Sequence, residues 1–330
     1  MIYYSLLKKF MKVAVTRKIP RVGIDVLEDA GFEVVGNPTE RLLTGVELQN
    51  FVKGADGILC LIIDRITKEV IDAAGGNLKI IANYGVGYDN IDFEYAKSKG
   101  VMVTNTPSEL SSRAVAEFTI GLIFAVLKRI VEGDEFCRRG DMGGWKPEIF
   151  LGMNLEGRTL GIVGLGRIGC LVAKIAKAFG LRVVYTKRNR DLEAEKEFGL
   201  EYMSFENLLR ESDIVSLHVP LTNETRRMIN QRTLELMKDT AFLINTSRGG
   251  VVDEAALVEY LKKGKLSGAA LDVYEYEPEI NPELCGLPNV VITPHIASSV
   301  QEVRDDMAIM AAKNIVEALN GRTPPNLVNR

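Results

Sequence analysis

Short apolar runs rich in Val and Ile alternate with stretches whose apolar residues recur every three or four positions, almost from end to end of the chain. The short runs read as buried strands, and the recurring positions as helices with one apolar face. Strands are expected at 12–16, 32–35, 57–62, 79–83 and 101–104. Helices are expected at 20–30, at 44–52, from Thr67 and at 95–99. The alternation resumes further on, with strands at 159–163, 182–185, 214–218, 241–245, 269–272 and 290–293. Strands separated by helices need crossover connections, which give parallel sheets covered by helices on both faces. The expected fold is α/β, with two Rossmann-like or flavodoxin-like doubly wound parallel-sheet domains and a cleft between them.

Two stretches depart from the alternation. From Ser111 to about Glu135 the sequence reads as one long helix, apolar around much of its circumference. Such a helix is buried on more than one side, by its own core or by a partner chain. The last helix is expected to start at Ser299, where Ser299 and Glu302 make a capping-box signature. Val300, Val303, Met307, Met310 and Ala311 line one of its faces. Because the second strand–helix series sits mid-chain, this helix is expected to return to the first domain. The division is then 1–106 with 299–330 as a discontinuous substrate domain, and 107–298 as a nucleotide-binding domain. Residues 1–10 precede the strand pattern MKVAV, lack a signal-peptide cleavage site and are expected outside the fold.

Composition narrows the class. With 330 residues, 46% hydrophobic and 26% charged, the chain has the make-up of a soluble two-domain protein, not of a disordered or disulfide-stapled one. Lys+Arg at 41 against Asp+Glu at 44 leaves a net charge of -3, so nothing points to nucleic acid. The four cysteines are scattered without a C-x-x-C pair and read as reduced and mostly core-packed. That suits the cytoplasm; no metal-ligand spacing stands out. Uninterrupted apolar runs such as 120–127 fall well short of the ~20 residues of a membrane span, so no membrane is expected.

Candidate chemistry begins at Gly161-Ile-Val-Gly164-Leu165-Gly166-Arg167-Ile168-Gly169, a GxGxxG directly after a strand and before a helix. Gly164 permits the tight turn, Gly166 lets backbone approach a pyrophosphate, and Gly169 lets helix and strand pack closely. At the end of the next strand a NAD site would place an acid on the ribose. Here Tyr185-Thr-Lys187-Arg188-Asn189-Arg190 carries three cations and no acid. A guanidinium can bind a 2′-phosphate that a carboxylate would repel. NADP(H) is favoured, and Asp191 leaves NAD(H) possible.

Only two histidines exist. His218 ends a strand and reads as structural. His295 follows the last strand in TPHIA, Arg248 follows another in NTSRGG, and carboxylates follow a third in DVYEYEP. Ligands of open α/β sheets bind outside the carboxyl ends of strands, so arginine, glutamate and histidine can converge at a nicotinamide site.

With these motifs in order, the chain resembles the D-isomer-specific 2-hydroxyacid dehydrogenases over essentially residues 11–330. The likeness is carried by NYGVGYDNID from Asn83, NTP from Asn105, RAVAE from Arg113, GLGRIG, NTSRGGVVDE, LDVYEYEP and TPHIASS. The 29-residue interval from Arg248 to Glu277 and the 18-residue interval from Glu277 to His295 agree with it. The resemblance implies that Arg248 binds the carboxylate and keto oxygen of a 2-oxo acid. His295 would be the general acid of reduction, and Glu277 would orient its ring and favour the imidazolium. It implies substrate contacts from Val86 and Gly87 N–H groups, and a nicotinamide carboxamide held by Asp272. Pro220, Thr246 and Ser247 would line the cofactor, and Leu165 to Ile168 would carry its pyrophosphate. It also implies a homodimer formed through the long apolar helix.

The basic cluster and the substrate turn look most like the glyoxylate and hydroxypyruvate reductases. 2-Ketogluconate reductase and the short form of D-3-phosphoglycerate dehydrogenase are the alternatives. A dinucleotide-sensing regulator without turnover is the alternative from another class, and an intact Arg248/Glu277/His295 set argues against it. Residues 61–63 would shape specificity, and Trp145 either closes the pocket or packs.

Overall fold

The computed structural model describes residues 11–39 and 41–329; the segment 1–10, expected outside the fold, lies outside the described residues. The chain packs as two compact units: the part through Leu110 joined by Val300 onward, and Ser111–Ser299.

The first unit holds β1 (Lys12–Val15), β2 (Glu33–Gly36), β3 (Gly57–Leu61), β4 (Ile80–Tyr84) and β5 (Met102–Thr104). They form one parallel sheet in the order β2-β1-β3-β4-β5. Central strands buried on both faces favour apolar side chains, which is why β3 and the start of β4 read as apolar runs, with Asn83 the one buried polar residue of β4. The last helix, Gln301–Leu319, packs on the helix Arg21–Asp29 and on β3 and β4. Gly23 allows the close crossing, since a Cβ there would lie 2.8 Å from that of Ala308. The helix begins two residues after the expected start at Ser299, with Val300 as N-cap and no side-chain bond from Val300. The Ser299 N–H donates to the Ile296 carbonyl (2.8 Å), closing the turn that follows His295.

The second unit holds β6 (Thr159–Val163), β7 (Arg182–Thr186), β8 (Glu201–Tyr202), β9 (Ile214–Leu217), β10 (Phe242–Asn245), β11 (Gly268–Leu271) and β12 (Val290–Ile292). All run parallel in the order β12-β11-β10-β9-β6-β7-β8. The chain winds outward in both directions from β6, so the β6/β9 boundary is the switch point where doubly wound sheets bind ligands. The exposed edge strand β8 has no apolar run and leaves no periodic signal.

The single long helix expected from Ser111 is two helices, Glu109–Leu127 and Ile130–Arg138, broken at Arg129 in the left-handed region (φ 55°). A continuing helix would offer the Leu127 carbonyl to residue 131. Here the Met153 N–H takes it at 3.0 Å, and Gly152 packs so close that a Cβ would lie 2.4 Å from that oxygen. By length and composition Glu109–Leu127 is apolar enough to cross a membrane, with 56% of its apolar window buried. Uninterrupted apolar runs do not show this, because Arg113, Glu117 and Thr119 divide the stretch. Ala116, Ile120, Ile123 and Leu127 form a core with Leu160, Ile162, Val172 and Tyr185. The cysteines are free, but the expectation of mostly core-packed thiols fails: Cys60 is buried, Cys170 half-buried, and Cys137 and Cys285 exposed.

Candidate active site

The glycine loop leaves β6 with Gly164 at φ +100°, where a Cβ would meet the His218 carbonyl oxygen at 2.7 Å. A Cβ on Gly169 would fall 2.4 Å from the Gly164 oxygen, so strand and helix touch backbone to backbone. Gly166 has nothing within 4 Å and faces open space. It caps the helix Arg167–Ala178, whose first turn has no side-chain cap bond and no acidic residue. Free N–H groups and the positive end of the helix dipole therefore face an open, glycine-walled cradle that fits a dinucleotide pyrophosphate. One expectation narrows. The Leu165 side chain is buried and that of Ile168 packs on the same core, so only their backbone can serve a phosphate.

After β7 the expected trio of cations is largely occupied. Lys187 Nζ lies 2.9 Å from Asp191 Oδ2, and Arg190 Nε lies 2.7 Å from Glu195 Oε1. Tyr185 ties these pairs together, accepting from the Asp191 N–H and donating to Glu195 Oε1, each at 2.8 Å. Arg188 and Asn189 are exposed, and Arg188 makes no side-chain hydrogen bond among the described residues.

Arg248 is presented by a turn that Asn245 folds at the end of β10. The buried Asn245 Oδ1 accepts from Ser247 N (3.0 Å) and Oγ (2.8 Å), and its Nδ2 donates to the Arg248 carbonyl (3.0 Å). Thr246 pins the turn to the helix Glu109–Leu127 through Thr119, Oγ1 to Oγ1 at 2.8 Å. Arg248 is half-buried, and its NH1 donates to the Ser247 carbonyl at 2.8 Å. Past β11, Glu277 Oε1 accepts the Tyr274 N–H at 2.9 Å, and its Oε2 lies 2.9 Å from His295 Nδ1. His295 sits at φ 54°. A left-handed residue outside glycine is a strained choice that neighbours must hold.

Asp272 supplies much of that hold. It is buried; Oδ1 accepts Thr293 Oγ1 (2.6 Å) and Ile296 N (2.8 Å), and Oδ2 accepts Ala297 N (2.8 Å). Its carboxylate anchors the segment around His295. His218 is structural, with Nε2 2.9 Å from Ser216 Oγ, and burial pushes its pKa down to about 4. Pro220 is exposed and its carbonyl accepts Thr225 Oγ1 at 2.6 Å. Among the described residues no group of three or more His, Cys, Asp or Glu could hold a metal ion.

In the first unit, the turn after β4 carries Val86 and Gly87. Asn105 Nδ2 donates to the Val86 carbonyl (2.7 Å) and Asn83 Nδ2 to that of Gly87 (2.6 Å). Gly85 lies close against Ile62, where a Cβ would fall 2.1 Å from the Ile62 Cγ2 methyl.

The profile of the family described as D-isomer specific 2-hydroxyacid dehydrogenase, NAD binding domain, matches residues 120–297. The chain belongs to this family. A glyoxylate reductase of Thermococcus litoralis is 49% identical over 97% of this chain and 97% of its own. A Thermus thermophilus crystal structure is 46% identical with a TM-score of 0.89, covering 96% of this chain and 100% of its own. An NADPH-dependent glyoxylate/hydroxypyruvate reductase of Sinorhizobium meliloti, solved with NADP and malonate, is 32% identical with a TM-score of 0.84, at 96% coverage of both.

As a D-2-hydroxyacid dehydrogenase the chain is an NAD(P)-dependent oxidoreductase that interconverts a 2-oxo and a 2-hydroxy acid. Against that chemistry, two residues that hold the Val86–Gly87 turn escape sequence reasoning. Asn83 and Asn105 stand inside the matched motifs, yet a buried amide shows its partners only in three dimensions. Trp145 does not pack; it is 86% exposed.

Proposed function

We propose that the chain reduces a small 2-oxo acid of the glyoxylate or hydroxypyruvate type to the D-2-hydroxy acid, preferring NADPH to NADH. The observation that carries the proposal is the 2.9 Å contact between His295 Nδ1 and Glu277 Oε2. A nicotinamide cofactor held on the glycine loop after β6 would supply hydride to C2 of the substrate. His295 then delivers the proton to the keto oxygen from Nε2, while Glu277 fixes the tautomer and balances the imidazolium charge. Arg248 offers a planar fork for the carboxylate and keto oxygens. The N–H groups of Val86 and Gly87 take the rest of the carboxylate; their carbonyls are already held by Asn105 and Asn83.

The absence of an acid at the end of β7 and the exposed Arg188 support the NADPH preference. The names of the relatives support glyoxylate among 2-oxo acids. The same reading makes the protein a cytoplasmic homodimer associated through the helix Glu109–Leu127. The test is loss of NADPH absorbance with glyoxylate, hydroxypyruvate, 2-ketogluconate and 3-phosphohydroxypyruvate, repeated with NADH. Turnover fastest with glyoxylate or hydroxypyruvate is expected; no turnover with any of the four removes the proposal.

A further inference from the structure

The segment leading to Glu277 is gripped from two sides. On one side is Gly249, directly after Arg248. A Cβ there would fall 1.8 Å from the Tyr274 carbonyl carbon and 2.5 Å from Glu275 N, so backbone lies against backbone. On the other side is Glu254, which opens the helix Glu254–Lys262 and is 4% exposed. Its Oε1 accepts the Glu275 N–H, and its own N–H donates back to Glu275 Oε2 at 3.4 Å. Arg227 holds the Glu275 carboxylate from outside, Nε to Oε1 at 2.6 Å, and also reaches Tyr276 Oη (3.0 Å) and Asp253 (3.8 Å).

Burying a carboxylate is costly unless its bonds are made there. Burial, with repulsion from Glu275 and Glu277, pushes Glu254 above the usual carboxylate range, and the Glu275 N–H pulls the other way. Glu254 belongs to the segment that begins with Arg248, and Glu275 to the segment that ends in Glu277. The peptide they grip is next to the Tyr274 N–H, which holds Glu277 Oε1 at 2.9 Å.

We propose that Glu254 and Glu275 form a reciprocal carboxylate–backbone clamp that keeps the Arg248 segment in register with the Glu277 segment. Glu254 is thus a positioning residue for the Glu277–His295 pair. This rests on reading that pair as the proton-transfer couple.

The test compares Glu254→Leu with Glu254→Gln, whose amide oxygen still accepts the Glu275 N–H, using NADPH and glyoxylate. Glu254→Leu is expected to lower kcat roughly tenfold or more with NADPH affinity unchanged, because small displacements of an acid–base pair are expensive. Glu254→Gln stays within about threefold of the parent, as the acceptor survives. In a Glu277→Gln background, Glu254→Leu costs less than about twofold, since it acts through a group already removed. Parent-like kcat in Glu254→Leu, an equal fall in Glu254→Gln, or full additivity with Glu277→Gln overturns the clamp.

If the parent turns over no 2-oxo acid, the functional reading fails on its own and amide exchange decides the clamp. Glu275 N–H then exchanges about tenfold faster in Glu254→Leu than in the parent, while amides at 164–169 do not change. An unchanged Glu275 rate overturns it. Should Glu254→Leu not fold, Arg227→Met releases Glu275 from the exposed side. Parent-like kcat (where the parent turns over) together with a parent-like Glu275 exchange rate in that variant overturns the clamp equally.

Discussion

His295 Nδ1 stands 2.9 Å from Glu277 Oε2, although the two residues are 18 positions apart in the chain. The contact holds because both ends are anchored separately, Glu277 by the Tyr274 N–H and the His295 segment by Asp272. In the proposed reaction, a proton held on Nδ1 leaves Nε2 for the substrate oxygen.

His295→Asn is therefore expected to lower kcat by about 10²–10⁴-fold, the span of general acid–base catalysis, with cofactor affinity retained. Glu277→Gln should fall less far, by roughly tenfold to a hundredfold, since the ring loses its orienting charge and not its proton. Steady-state kinetics beside NADPH fluorescence titration checks both; wild-type kcat in His295→Asn refutes the assignment.

Cofactor choice should hang on one exposed cation. Arg188→Ala is expected to lower the ratio of kcat/KM for NADPH over NADH by roughly tenfold. Asp191→Asn releases Lys187 while an asparagine can still cap the helix Leu192–Phe198. The same ratio should then rise by about threefold. Paired kinetics with the two cofactors reads both changes, and opposite signs would contradict the pairing scheme.

The two loop glycines should fail in different ways. Gly166→Ala has open space for its methyl, so thermal stability should hold while pyrophosphate affinity drops by about tenfold. Gly164→Ala meets the His218 carbonyl at 2.7 Å and needs a positive φ, so it should lose about 2–4 kcal/mol of stability. Urea unfolding beside cofactor titration separates the two.

Burial of His218 predicts a pH slope. The unfolded ring titrates near 6.5 and the folded one near 4. Between these values the unfolded chain binds a proton that the folded chain does not. The full stability is therefore present above pH 6.5 and falls as pH drops toward 4, by up to about 3 kcal/mol. His218→Asn should flatten this part of the curve in urea unfolding measured from pH 7 to 4.

The alternation of apolar runs was enough to place parallel sheets in both units, because a strand buried on two faces writes its burial into most residues of β3, β4 and β6. Edge strand β8 has no such duty and left no trace. The break at Arg129 was illegible for another reason. The Leu127 carbonyl is taken by Met153, a residue outside any local window.

The site divides along the same line. Glycines forced by close approach, and an arginine, glutamate and histidine at strand ends, are residue types that the chemistry itself demands, so the sequence alone determined the family and the candidate groups. Which of those groups are already engaged was decided by tertiary structure. Lys187 and Arg190 are neutralised by neighbours, Asp272 is spent on the His295 segment, and Glu254 clamps a backbone it could not be seen to reach. A charge is a local property of the chain; its partner is a property of the fold.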